Sequence, residues 1–570
     1  MNRRVVFAFA AMLLCLALGD TSRAETAASP SSSSTDLQAS IDSAHEPIFD
    51  GLGSLHHPVT TKTNSTLAQQ FFDQGLRFVY AFNHDEAAGS FRQAAQLDPN
   101  MAMAYWGIAL SLGPNINLPE DKDRGKMAYA AIVKAQSLEA NASQPEREYI
   151  EALAKRYASD GKMNDALQRE YANAMREVAR QNPDDPDAGA LFAESMMDLH
   201  PWGLWSLDGK PTDGTPEIVA TLEGVLAKYP DHVGANHYYI HAVEASPNPE
   251  HALVSADRLT KLTPAAGHLV HMPSHIYFRT GDYHASATAN ASAIKADKVY
   301  LRERNPKGFY LVMYVPHNIQ FLWASYMMEG NSRGAFQAAR ELDEAVPIEV
   351  VRQMPMVEGV SPSRYFTEAR FGKWDAILKE HAPPADLTFT TGVWHYARGL
   401  ALAAKNRPKD ALNEKKKLNA IVAKIPPERV VGFNSANRLL TMASATLAGE
   451  IDSASGRHDD AIQHLKDAVA IQDSLNYEEP PPWYYPVRQT LGMELLAAGK
   501  TADAEQVFRD DLKQYPENGW SLNGLELCLR ARNASDEAAT VETRFKKAWG
   551  YADVTLPSSA PAENKTAAAH

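Results

Sequence analysis

The stretch Gly75–Pro99, GLRFVYAFNHDEAAGSFRQAAQLDP, decides the fold. Gly75, Ala87, Phe91, Ala94 and Pro99 stand at fixed offsets from one another. The same spacing returns far along the chain at Gly492, Ala504, Phe508 and Pro516, with Gly499 between the first two. The residue types explain the spacing. Small side chains at Gly75 and Ala87 let two antiparallel helices approach closely. The Phe91 ring fills the gap beside them, and Pro99 stops the second helix. Partial copies occur at Ala252, Ala256, Leu259 and Pro264; at Gly281, Tyr283 and Ala293; at Gly330 and Ala335; at Gly399 and Ala411; and at Gly449, Gly456 and Ala461.

Between the copies the apolar pattern is helical, with little period-2 alternation and almost no hairpin chemistry, so the class is all-α. The register resembles that of the 34-residue tetratricopeptide repeat. The resemblance covers about residues 67–550 and implies a right-handed α-solenoid of about 9–11 helix pairs. The phrases FNHDEAAGSF, ANHYYIHAVEAS and GHLVHMPSHIYFR also look like a group of exported bacterial tetratricopeptide proteins of undefined activity. Ordinary repeats of the broad family bind peptides and act as scaffolds. The fold therefore carries no chemistry of its own.

Both ends differ from the body. Arg3 and Arg4, the apolar run Val5–Leu18 and Ser22-Arg23-Ala24 read as a signal peptide cleaved after Ala24, which implies a periplasmic or secreted protein. Leu14 before Cys15 argues against a lipid anchor, and no later apolar run is long enough to span a membrane. Residues 25–45, rich in Ala and Ser, read as a flexible linker. Residues 46–555 form the solenoid, and 556–570 read as a disordered tail. Insertions interrupt the register at 113–124, 200–214 and about 298–315. The chain is 45% hydrophobic with formal charge −14, near −16 after cleavage, and has no basic run. Nucleic acid and anionic membranes are therefore not expected partners. Cleavage leaves Cys528 as the one cysteine, which excludes an internal disulfide and any multi-thiolate metal site.

The chemistry concentrates in repeats 232–320. His237/His241 and His271/His275 are two His-x-x-x-His pairs, 34 residues apart, one full repeat. Residues four apart share a helix face, so each pair can present two imidazoles to one point. Glu244, His268 and His317 fall on the same stripe, roughly 110° from the stripe that closes the helix pair. In the repeats this chain resembles, that stripe lines the concave groove. Clustered imidazoles need a partner, since protonated ones repel and buried polar groups cost free energy. The expected metal ligands are therefore His237, His241, Glu244, His268, His271, His275 and His317. Nitrogen and oxygen donors without thiolate suit Zn²⁺, Cu²⁺, Ni²⁺ or Fe²⁺. In a metal-dependent enzyme Glu244 would be the catalytic base and a metal-bound water the nucleophile. The competing reading is a periplasmic scaffold whose polar groove takes a peptide or protein partner without catalysis. Pro273 either kinks the helix that carries the second pair or begins it. His56-His57-Pro58 and the insertion residues Asn115, Asn117, Trp202 and Trp205 are lesser candidates, as is His84, which reads as packing.

Overall fold

The Phe91 ring is held between two glycines. In the computed structural model a Cβ on Gly75 would lie 2.7 Å from that ring, and one on Gly107 would overlap it. Phe508 is held in the same way between Gly492 and Gly524. Gly75 and Gly492 are the small residues of the sequence pattern. Gly107 and Gly524 belong to the first helix of the following repeat. One ring therefore closes its own helix pair and docks the next, and the close approach allows no side chain at either glycine.

The structure describes residues 30–62, 65–306 and 308–557. Residues 1–24, where a signal peptide is expected, lie outside the described residues, as do those beyond Pro557. The described chain is all-α and built from helix pairs in tetratricopeptide register. Among the described residues the paired strands are Val430–Val431 and Asn434–Ser435, each of two residues. No described helix is long and apolar enough to cross a membrane. Cys528 is buried and forms no disulfide among the described residues.

The chain divides into two compact units. The first comprises residues up to Pro273 together with Lys295–Phe309. The second comprises Ser274–Ile294 and Tyr310 onward. In the first, helices Thr66–Tyr80, His84–Leu97, Ala102–Leu112 and Lys122–Ser137 pack each on its successor. In the second, helices Val487–Ala497, Thr501–Gln514, Gly519–Ala531 and Ser535–Ala548 do the same.

The linker expected at 25–45 is corrected over most of its length. Pro30–Asp42 is a helix that packs on His84–Leu97 and Lys122–Ser137. Composition hid an i,i+4 apolar pair, Leu37 and Ile41, both buried. Gln96 Nε2 then donates to the carbonyls of Ile41 (3.1 Å) and Asp42 (3.0 Å), which satisfies the helix end.

The turn inside the helix pair is stereotyped. Two residues before the second helix the backbone turns left-handed at Gly281, Gly330, Gly372, Asn406, Gly456, Gly499 and Asn533. The next residue's N–H reaches back five residues, as from Asp282 to Tyr277 (2.8 Å) and from Lys500 to Leu495 (2.9 Å). This is the Schellman helix end, which favours Gly or Asn because a Cβ is strained at positive φ. The turn after Thr66–Tyr80 has the same bond, Asn83 to Phe78 at 3.0 Å, but the left-handed residue is Phe82, with φ 52°. A left-handed conformation costs an ordinary side chain about 1–2 kcal/mol.

Pro273 opens a helix, Pro273–Thr280, and Met272 separates it from the short helix Gly267–His271. The second His-x-x-x-His pair thus stands on two helical segments, unlike the first.

Candidate metal centre

Helix Val233–Val243 carries the first pair. His232 starts it, its Nδ1 accepting from the Ala235 N–H at 3.0 Å. His237 and His241 follow one turn apart on one face, with ring centroids separated by 4.9 Å. The short helix Gly267–His271 adds His268, whose ring lies 5.0 Å from His237 and 6.3 Å from His241. Each of the three offers one nitrogen, and these nitrogens all lie within 4.8 Å of one another. The residues are 0%, 6% and 2% exposed, in that order. The stripe was expected to line an open groove. Here it is enclosed instead, because the face that does not close the helix pair is covered by other parts of the first unit.

The partners on the far side of two rings determine their protonation. His237 Nδ1 lies 2.7 Å from the backbone carbonyl of Tyr80. A carbonyl only accepts, so Nδ1 carries the proton and Nε2 holds the lone pair. His241 Nδ1 lies 2.7 Å from Glu244 Oε1, which an ionised carboxylate likewise accepts. Glu244 ends the same helix and is itself buried, so the carboxylate orients the His241 ring from behind. Histidine metal ligands are held in this way in metalloproteins generally.

Phe82 and Trp202 wall the cluster. The Phe82 ring lies 4.6 Å from His237, 5.9 Å from His241 and 5.7 Å from His268, stacked on the last two. Trp202 meets His241 edge-on at 5.7 Å. Trp202 comes from the 200–214 insertion, and its Nε1 donates to Asn117 Oδ1 of the 113–124 insertion at 3.1 Å. Trp205 anchors the same insertion by donating to the Ala242 carbonyl at 2.8 Å, on the helix that carries the first pair. The His84 ring meets Phe82 edge-on at 6.3 Å. Burial, and then Arg124, push the His84 pKa down to about 3, so its ring is neutral and Nε2 accepts from Asn115 Nδ2 at 3.2 Å.

The seven expected ligands divide between the two units. His237, His241, Glu244, His268 and His271 belong to the first, where the His271 ring stacks on His268 at 5.9 Å. His275 and His317 belong to the second, 5.7 Å apart, both beside Phe321.

A second polar centre in the first unit is built on Asp187. His57 Nδ1 donates to Asp187 Oδ2 at 2.7 Å, His232 Nε2 donates to Oδ1 at 3.0 Å, and the Tyr80 hydroxyl also donates to Oδ1. Burial alone would lower the His57 pKa, but the hydrogen bond and charge of Asp187 outweigh it and hold the pKa up at about 9. Burial would raise Asp187, but His232 and His57 hold it well below the usual carboxylate range. With three donors already on its two oxygens, Asp187 forms a closed network rather than a ligand set. The sequence reading missed it. Asp185-Pro186-Asp187 reads as an ordinary helix start, and Asp185 is indeed the cap of Pro186–Met197. Tyr80 joins the two centres: its hydroxyl serves Asp187 and its carbonyl serves His237.

No family model matches the chain, and no curated protein matches it. Solved structures that align with it include the human IFIT1 dimer with m7Gppp-AAAA, at 12% identity, 91% of this chain, 94% of that one and TM-score 0.33. The human IFIT1 dimer with PPP-AAAA aligns at 13% identity, 85% of this chain, 91% of that one and TM-score 0.31. Similarity at this level says nothing of what the chain binds.

Proposed function

We propose that this chain is a helical-repeat metalloprotein that binds one divalent transition ion through His237, His241 and His268. The observation that carries the reading is the convergence of three buried imidazole nitrogens, with Tyr80 and Glu244 fixing two of the rings so that their lone pairs sit on Nε2. Three neutral nitrogens without thiolate fit Zn²⁺, Cu²⁺, Ni²⁺ or Fe²⁺. Three protein ligands leave a coordination position for water or substrate, which is the pattern of reactive rather than structural sites. An ion there would act as a Lewis acid or would activate a bound water. Glu244 is then an orienting carboxylate, since its oxygen is engaged by His241. The same proposal includes export from the cytoplasm, supported by the resemblance of residues Arg3 to Ala24 to a signal peptide.

A peptide-binding scaffold is the second reading, and burial of the imidazoles weighs against their serving a surface partner. The deciding experiment is elemental analysis of protein purified without chelators or affinity metals, after growth with added zinc, copper, nickel and iron. About one ion per chain is expected in the wild type and none in the His237→Ala, His241→Ala double variant. A metal-free wild type, or equal metal in both, would overturn the proposal.

A further inference from the structure

Among the described residues the non-glycine positions with positive φ are Phe82, Trp202, Asn305, Asn406, Glu517 and Asn533. Three are Asn, which tolerates this conformation. Two are aromatic, Phe82 at 52° and Trp202 at 57°, and both rings lie on the imidazole cluster. For bulky side chains these are genuine outliers. Strain of this kind persists where surrounding structure enforces it, and it gathers at functional sites.

The repeat itself supplies the comparison for Phe82. Seven other turns of the same Schellman geometry use Gly or Asn at the equivalent position. Phe82 is thus the wrong residue for its backbone, and its conformation seats a ring against His237, His241 and His268 together. Trp202 meets His241 edge-on. Its insertion is tied down by Asn117 and by the Trp205 bond to the Ala242 carbonyl. Phe82 is buried, whereas Trp202 is only partly so, and of the two rings Trp202 is therefore the one that meets solvent.

We propose that Phe82 and Trp202 are positioning residues of the metal centre: strained aromatic plates that fix the three imidazole rings and keep bulk water off them. The inference rests on the metal-binding reading above. An apolar shell of this kind governs solvent access and local dielectric, and groups around the ligands typically alter metal affinity roughly 10- to 100-fold.

The test uses full-length protein stripped of metal and titrated with Co²⁺ and Zn²⁺, the Co²⁺ complex being read by its visible absorption. Phe82→Leu and Trp202→Leu are compared with Phe72→Leu. Phe72 is a buried aromatic of the same helix pair that packs on Phe91, Trp106 and the His57 ring, none of which belongs to the His237, His241 and His268 cluster. Far-UV circular dichroism establishes that each variant is folded, and Trp202→Leu carries the test alone if Phe82→Leu does not fold. The expected result is affinity weakened roughly 10- to 100-fold, with a shifted Co²⁺ band, in both plate variants, and a wild-type band and affinity in Phe72→Leu. Wild-type spectrum and affinity in the plate variants would overturn the inference and leave the metal site standing. Equal perturbation by Phe72→Leu would overturn it too, since a general loss of packing would then suffice. A wild type that takes up neither ion would instead remove the metal reading itself.

Discussion

Glu244 Oε1 accepts the Nδ1 proton of His241 across 2.7 Å, from three residues further along the chain. The bond decides which nitrogen of His241 faces its neighbours, and it does so with a residue that needs no ligand role of its own. Glu244→Gln keeps the shape and one acceptor oxygen but removes the charge. Metal affinity is therefore expected to fall roughly 10- to 100-fold while the fold is retained. Competition against a chromophoric chelator measures this. Unchanged affinity would show that the carboxylate has no part in the site.

The Asp187 network predicts a specific pH dependence. His57 has a raised pKa in the folded state, so its contribution is fully present below about 6.5 and is lost as pH rises toward about 9. Asp187 has a depressed pKa, so its contribution is present above the usual carboxylate range and is lost only as pH falls below it. The network therefore stabilises most between about pH 4 and 6.5. A shift from 6.5 to about 9 corresponds to on the order of 3 kcal/mol. Asp187→Asn should lose about 3 kcal/mol near pH 6 and should flatten the alkaline decline that the wild type shows between pH 6.5 and 9. Urea unfolding across that range is the measurement. A decline of the same slope in the variant would assign it to other groups.

How much of this was legible follows from the range of each interaction. The Gly75–Phe91 contact and the left-handed turns are local and recur with the repeat, so spacing alone exposes them. The His237/His241 pair is legible for the same reason. What covers that pair is not periodic. Phe82 breaks the turn rule, and Trp202 sits in an insertion, so the sequence grouped His237, His241 and His268 but left them open to a groove. The His57–Asp187 bond joins residues 130 apart, with nothing in either neighbourhood to mark it. The helix Pro30–Asp42 was hidden because its two apolar anchors are outnumbered by Ser and Ala.

The doubly used phenylalanine gives a packing prediction. A methyl group at Gly524 would overlap the Phe508 ring, which Gly492 already confines on its other side. Gly524→Ala should destabilise by about 1–3 kcal/mol, despite the better helix propensity of alanine. Adding Phe508→Leu to Gly524→Ala should cost less than the two separate losses together, because the smaller side chain makes room for the methyl group. Strict additivity in thermal or urea unfolding would mean that the two sites do not press on each other.

Arg156 offers a test of buried charge in the first unit. Its guanidinium is buried against the Tyr171 ring at 4.9 Å. It donates to Gln168 Oε1 (2.9 Å), to the Pro114 carbonyl (3.1 Å) and to Asp198. Glu194 stands beside them, pushed well above the usual carboxylate range by burial first and by the Asp198 charge next. The site thus holds two carboxyls and a single cation. Arg156→Met removes the cation and leaves Asp198 buried without its counter-charge, which should cost about 3–5 kcal/mol at pH 7. The loss should shrink as pH falls toward 5, because protonation of the stranded carboxyls removes the charge that burial penalises. The Arg156→Met, Asp198→Asn double variant should regain much of the stability at pH 7, since no unpaired charge then remains. A double variant no more stable than Arg156→Met at pH 7 would mean that the guanidinium acts through its bonds to Gln168 and Pro114, which hold the 113–124 insertion, rather than by neutralising Asp198.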